Sequence, residues 1–399
     1  MRSALAGVVA ALGVAFAAAP LVAAAATVSP TPVVPAYGQP VNVDVSDTPW
    51  PLYVRATRYQ RSGATFTIEY EYIQDGFGPI RPDFGYPQVD LGELPPGNYV
   101  VNAKMIDIDN PNAAPQTAQA ALPVLPPSAY GVYPVPSAPR ANDAVQILVK
   151  SAAYFDPRTL HATVTGNSIR VDFQYHATAP GATGGPAGMT TFASVKVGRL
   201  APGGYHVEGW AAPDTGGASA LYFSKDFAVD RTSTVVEYYQ EDLDHYFMSA
   251  GPAEIDLLDA GGQGNWKRTG QGFHAWLDQA DAPANAKPVC RFYAAGPNSH
   301  FYTGDASECA SLKALEQQQR ADATASGQRF LGWGYEGIAF YALVPVNGQC
   351  PSGTTPVWRA YNNRAAENDS NHRFTVDPQQ RAAMAMGWID EGAVFCSAP

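Results

Sequence analysis

The C-terminal part of the chain writes one pattern three times, and a repeated unit cannot bury its apolar face alone; it must stack on its siblings. Each copy opens on an alternating strand: Val235-x-Glu237-x-Tyr239, Val289-x-Arg291-x-Tyr293 and Val357-x-Arg359-x-Tyr361. A histidine then stands at a turn into a second aromatic strand, in Asp244-His245-Tyr246-Phe247-Met248-Ser249, Ser299-His300-Phe301-Tyr302-Thr303 and Asn371-His372-Arg373-Phe374-Thr375. Each copy closes on Trp-x-x-(Thr or Glu)-Gly-x-x-Phe, at Trp266 to Phe273, Trp333 to Phe340 and Trp388 to Phe395. The repetition predicts one pseudo-threefold, β-rich domain over residues 232–399 with a short helix in each copy, starting near Pro252, Ala306 and Asp377. Trp266, Trp333 and Trp388, at one point of every copy, are expected to form a core layer.

All four cysteines, Cys290, Cys309, Cys350 and Cys396, fall inside this domain. An even count in an exported chain implies disulfides. Of the three pairings, the repeats favour Cys290 with Cys309, inside the second copy, and Cys350 with Cys396, framing the third. No Cys-x-x-Cys pair is present, so zinc is disfavoured and no metal is expected. Asn368-Asp369-Ser370-Asn371 is rich in oxygen but lacks calcium-loop spacing, and reads as a solvated turn.

Export is read from residues 1–26: a basic start at Arg2, a long Ala/Val/Leu run and Ala24-Ala25-Ala26 at the end form a secretory signal. A secreted location, periplasmic or extracellular, follows, with no membrane span after signal removal. Hydrophobic content of 46% supports folded domains, and a formal charge of -11 with no basic cluster argues against nucleic acid and anionic lipid as partners. On the same ground any ligand is expected to be neutral or cationic.

Residues 27–40, rich in Pro and Val, read as an extended lead-in. Behind it a second repetition appears, displaced by 103 to 106 residues. Gly63-x-x-Phe66-x-Ile68-x-Tyr70-x-Tyr72 matches Gly166-x-x-Ile169-x-Val171-x-Phe173-x-Tyr175, and Leu94-x-Pro96-Gly97-x-Tyr99 matches Leu200-x-Pro202-Gly203-x-Tyr205. Short alternating strands with Pro-Gly turns in units of about 100 residues predict two immunoglobulin-like β-sandwiches, residues 41–126 and 127–231. The proline-rich stretch from Pro123 to Pro139 reads as a semi-rigid spacer between them. The Leu-x-Pro-Gly-x-Tyr element resembles the tyrosine corner of fibronectin type III sandwiches, which implies structural roles for Tyr99 and Tyr205. His161, His176 and His206 lack partners at ligand spacing. The glycine-rich loop Asp75 to Pro87 reads as an inter-sheet connection long enough to be a binding loop.

Val289-Cys290-Arg291-Phe292-Tyr293, Ser299-His300-Phe301-Tyr302-Thr303, Trp333-Gly334-Tyr335-Glu336-Gly337 and Asn371-His372-Arg373 resemble a bacterial secreted repeat domain of unknown function. The resemblance implies a secreted context and an appended domain; it implies no activity. The first copy departs from the pattern, with Glu237 in place of Arg and Thr269 in place of Glu. Because Arg and Glu are lost together, Arg291–Glu336 and Arg359–Glu391 read as structural strand-to-strand ion pairs.

Gly-x-Ser-x-Gly, His-Glu-x-x-His, a P-loop and a dinucleotide fingerprint are absent from the sequence. No catalytic residue and no cofactor is therefore assigned, and a non-catalytic binder or surface-interaction protein is favoured over a secreted hydrolase or a purely structural module. An extracellular glycan or surface protein is the expected partner. The candidate ligand contacts are His245, His300, Tyr302 and His372: aromatic faces stack on sugar while imidazoles bond hydroxyls. The competing reading makes each His a bond to a backbone carbonyl and each aromatic a core residue.

Overall fold

The computed structural model describes residues 27–46, 54–72, 88–108, 110, 112–177, 186–385 and 387–399. The signal-like segment 1–26 and the loop Asp75–Pro87 lie outside them. The described chain is mainly β, arranged in several sheets.

The first seven strands are Thr27–Thr31, Pro40–Ser46, Val54–Ser62, Thr65–Tyr72, Val89–Glu93, Gly97–Asp107 and Gln116–Val124. The first, second and fifth form one sheet; the third, fourth, sixth and seventh lie side by side in another. Alternation aims one face of each strand inward, so Val41, Val43 and Val89 from one sheet meet Phe66, Ile68, Tyr70 and Val101 from the other in a single core. The next seven strands, Gly131–Val135, Val145–Phe155, His161–Thr165, Ser168–Tyr175, Thr190–Gly198, Gly203–Pro213 and Ala220–Val229, repeat the same neighbour order around a core holding Ile147, Val149, Ile169, Val171 and Val207.

Both units depart from the immunoglobulin pattern at the same place. That pattern pairs its strands antiparallel, whereas here the fourth strand runs parallel to the sixth, Thr65 opposite Val100 in one unit and Ser168 opposite His206 in the other. Composition explains it. Phe66, Ile68 and Tyr70 set the fourth strand against the core beside the sixth, while the more polar partners, Val54–Ser62 with three arginines and the largely exposed His161–Thr165, lie on the side of the fourth strand away from the sixth.

Two boundaries differ from the sequence expectation. Thr27–Thr31 is no lead-in: it pairs along its whole length with residues 42–46, because Val28 and Pro30 alternate inward against the core. The proline-rich stretch is only in small part a spacer, since Gln116–Val124 and Gly131–Val135 are strands that belong to the two units it was expected to separate. Tyr37 donates from its hydroxyl to the Pro134 carbonyl at 2.5 Å, and the Ser137 hydroxyl donates to Glu93 at 2.8 Å, so the units are also packed on each other.

The third part contains three copies of a three-stranded sheet: Ser233–Gln240, His245–Ser249 and Lys267–Ala275; Lys287–Ala294, Ser299–Thr303 and Trp333–Ala342; Thr355–Tyr361, His372–Thr375 and Ile389–Ser397. The opening strand is central in each. Helices Pro252–Asp259, Ala306–Ser326 and Pro378–Met384 follow the second strands. Equivalent residues meet in one core: Val235, Val289 and Val357; Phe247, Tyr302 and Phe374; Phe273, Phe340 and Phe395. The last three form a triangle, with ring centroids 5.7, 5.8 and 6.2 Å apart, each copy supplying one ring. Trp266, Trp333 and Trp388 are not in this layer. They stand half-buried at its edges, against Phe247, Phe301 and Tyr246 respectively, because each precedes the inward-alternating part of its strand.

Both disulfides, Cys290–Cys309 and Cys350–Cys396, are formed. Among the described residues no helix is long and apolar enough to cross a membrane.

Candidate functional site

The histidine turns converge, but on each other. His245 is 2% exposed; its Nδ1 lies 3.1 Å from the Asn298 carbonyl of the second copy and its Nε2 lies 2.6 Å from Asp369 of the third. Asn371 donates to the Asp244 carbonyl, Arg364 pairs with Asp244 and Asp369, and Asn368 donates to the Gly296 carbonyl. Asn368 and Asn371, through their amide nitrogens, and Asp369, through its carboxylate, are thus drawn into bonds that tie the three turns together, and among the described residues no cluster is suited to a metal.

Three of the four candidate contacts, His245, Tyr302 and His372, are buried, and His300 is half-buried. Tyr302 is 1% exposed, and its hydroxyl donates to the Met248 carbonyl of the first copy. His372 is buried against Tyr361 and Phe301, and desolvation, with Arg359 beside it, pushes its pKa down to about 3. His300 packs at 4.6 Å on Phe247 and sets its Nε2 3.4 Å from Glu336. Burial pushes the Glu336 carboxyl up, but His300 and Arg291 outweigh it and hold the group below the usual carboxylate range. Of the three histidines, only His245 makes the carbonyl bond of the competing reading, and it does so across copies; His300 and His372 pack their rings on Phe247 and Phe301 of the preceding copy.

The seams between copies carry a second pattern. Arg291 pairs with Glu336 of its own copy at 2.8 Å and with Glu254 of the preceding copy's helix at 2.8 Å. Arg359 does the same with Glu391 at 2.6 Å and Glu308 at 3.4 Å. At the seam that closes the ring every member changes. Glu237 replaces Arg, Thr269 replaces the in-copy Glu and donates to Glu237 at 2.8 Å, and Gln380 replaces the helix Glu. Arg373, at a position that is aromatic in the other copies, enters from the third copy and pairs with Glu237 at 3.0 Å. The Gln380 amide, oriented to satisfy its neighbours, accepts from Arg373 at 2.6 Å.

An open concavity with aromatic residues in its lining lies elsewhere, where the first unit meets the first copy. Arg268 pairs across the sheet with Tyr59, so one seven-stranded sheet runs from the N-terminal unit into the repeats. Beside that joint is a groove of about 510 Å³ lined by the half-buried Tyr59 and Trp266, with the buried Phe66 and Tyr238 behind its surface and Arg61, Lys267, Arg268 and Asp259 among its polar groups. Asp259 accepts from Arg268 Nε and Nη2, both at 2.7 Å, and Arg268 stacks over Tyr238. Arg61 lies over the rings of Phe66 and Tyr99. Burial pushes the Tyr59 phenol up, with Arg268 pulling the other way. Such a surface can stack a sugar ring on Trp266 or Tyr59 and bond its hydroxyls from Arg, Lys and carboxylate groups.

Residues 234–398 match a family model described as a domain of unknown function, DUF5648, and a second match covers residues 205–319. The C-terminal half carries a DUF5648 domain. No curated protein and no solved structure matches the chain.

Sequence reasoning missed the groove because its two walls lie about 200 positions apart in the chain, with Tyr59 and Arg61 on the first unit and Trp266 to Arg268 on the DUF5648 domain. It saw Glu237 and Thr269 depart together but missed the seam they build with Arg373 and Gln380, two further aligned columns of the DUF5648 repeats that depart in the third copy.

Proposed function

We propose that this chain is an exported, non-catalytic binding protein that recognises carbohydrate of a cell surface or wall, the ligand lying in the groove between the first unit and the repeat domain. The observation that carries this reading is Trp266 and Tyr59 facing one concavity beside the bidentate Asp259–Arg268 pair. Flat aromatic walls with a few fixed polar groups are the usual chemistry of sugar recognition. Export is supported by the signal-like residues 1–26 and by two disulfides, bonds that persist in oxidising compartments.

In this reading residues 27–126 and 127–231 are two sandwich units related to the immunoglobulin plan by all but one strand pairing, and residues 232–399 are the repeat domain. Tyr99 and Tyr205 are structural: their hydroxyls donate to the carbonyls of Pro95 and Ala201, four residues back, as a tyrosine corner requires. The repeat domain supplies one wall of the groove and the rigidity behind it, since its buried polar residues are spent on seams. A glycan and cell-wall binding screen with the chain from Thr27 tests the proposal. Binding should be lost in Trp266→Ala. Because Trp266 also packs on Phe247, Gln60→Trp, which fills the groove from an exposed position, should abolish binding without unfolding. Undiminished binding by both variants would refute the assignment.

A further inference from the structure

We infer that the groove selects a carboxylate-bearing sugar, an inference that rests on the carbohydrate reading above. The chain as a whole is acidic, with a formal charge of -11, and no run of basic residues in the sequence offsets it. The fold reverses that balance locally. Three cations, Arg61, Lys267 and Arg268, line the groove against a single carboxylate, Asp259, and that carboxylate is engaged by Arg268 through both oxygens. Among the described residues neither Arg61 nor Lys267 has an ion-pair partner, so both charges are available to a ligand.

Their placement is specific. Arg61 is held flat over Phe66 and Tyr99, and its Nε donates to the Gly63 carbonyl at 3.0 Å, which fixes the guanidinium at the end of the strand Val54–Ser62. Lys267 begins the neighbouring strand of the same sheet, directly after Trp266. A pyranose stacked on Trp266 would offer a ring carboxylate to a planar guanidinium on the neighbouring strand, with an ammonium lining the same groove, groups that give the strongest hydrogen bonds to such an acid. A neutral sugar uses the same walls and leaves both cations unanswered. The ligand expected from composition, neutral or cationic, is therefore replaced by an acidic one.

Calorimetric titration of the chain from Thr27 with oligogalacturonate, with the same oligomer fully methyl-esterified, and with a panel of neutral oligosaccharides tests this. The acid form should bind at least about tenfold more tightly than the ester, as expected when charge-assisted bonds are gained. That preference should fall with added salt and vanish in Arg61→Gln/Lys267→Gln, but survive the distant exposed change Arg158→Gln. Equal affinity for acid and ester, or a preference that survives the double variant, overturns the inference and leaves the carbohydrate reading standing. Failure to bind acid, ester and every neutral oligosaccharide overturns both. Should the double variant shift the unfolding midpoint, the salt dependence of the unaltered chain decides: affinity for the acid that does not change with salt overturns the inference.

Discussion

Glu237 and Arg373 form the buried ion pair that closes the ring of repeats, each side chain 3% exposed, at the one seam where glutamate takes the place of the strand arginine and the arginine comes from the third copy instead. The other two seams present arginine on the incoming strand and glutamate on the preceding helix. A third copy of that arrangement would have made all seams interchangeable. With Glu237 facing Arg373, the first copy accepts only the third as its neighbour, so the charges specify which ends meet.

Breaking this pair should be costly. Glu237→Leu removes the carboxylate that Arg373 meets in the interior and should destabilise the chain by about 3 to 5 kcal/mol in urea unfolding, whereas the joint change Glu237→Leu/Arg373→Leu should cost less than either single change. Converting the seam to the common pattern, Glu237→Arg with Thr269→Glu, Arg373→Phe and Gln380→Glu, should restore stability and yield exchanged oligomers on a sizing column. A strictly monomeric quadruple variant would remove the specificity role.

The corner tyrosines offer a milder test. Tyr99→Phe and Tyr205→Phe each delete one bond, to the Pro95 and Ala201 carbonyls, and should each lower stability by about 1 kcal/mol without changing the dependence on denaturant.

Acid should weaken the fold through two histidines. His372 and His274 are held at about 3 and about 4, in both cases first by burial and then by a neighbouring arginine, Arg359 and Arg140. An unfolded histidine titrates near 6.5. A depressed folded pKa means the unfolded chain takes up the proton first, so the stabilisation is whole above about pH 6.5 and declines as pH falls toward the folded values. In His274→Asn the loss of stability between pH 6.5 and 4 should be shallower than in the unaltered chain; an identical slope would contradict this.

Much of the fold was legible because alternation and repetition are local signals. The nine repeat strands, the three helices and the two disulfides follow from Val-x-Arg-x-Tyr, from Asp305 and Asp377 capping their helices, and from cysteines nested in single copies. What could not be read was which face of a strand meets which distant neighbour. His245 looks like a surface ligand until Asn298 and Asp369 arrive to cover it, and nothing in the sequence brings Arg61 to the groove it lines with Trp266 and Lys267. The parallel pairing of Thr65–Tyr72 with Gly97–Asp107 was hidden for the same reason: hairpin signals give neighbours in sequence and are silent on which of the two strands turns inward.

Reduction of the disulfides should destabilise the repeat domain. The bridges close loops of 19 and 46 residues, and on the chain-entropy model their loss removes about 3 and 4 kcal/mol respectively. Thermal unfolding with and without reductant measures the combined effect, and Cys350→Ser/Cys396→Ser should be the more damaging of the two pair deletions.

Trp266, Trp333 and Trp388 occupy equivalent places in three copies, yet among the grooves of the described chain only Trp266 lines the one shared with Tyr59. The molecule therefore carries its own controls for the location of its ligand. Hydroxyl-radical footprinting of the chain from Thr27, with and without bound oligosaccharide, reads side-chain exposure at all three tryptophans at once. Protection of Trp266 and Tyr59 with unchanged oxidation of Trp333 and Trp388 is the predicted result, and protection centred on Trp333 or Trp388 with Trp266 unaffected would contradict it.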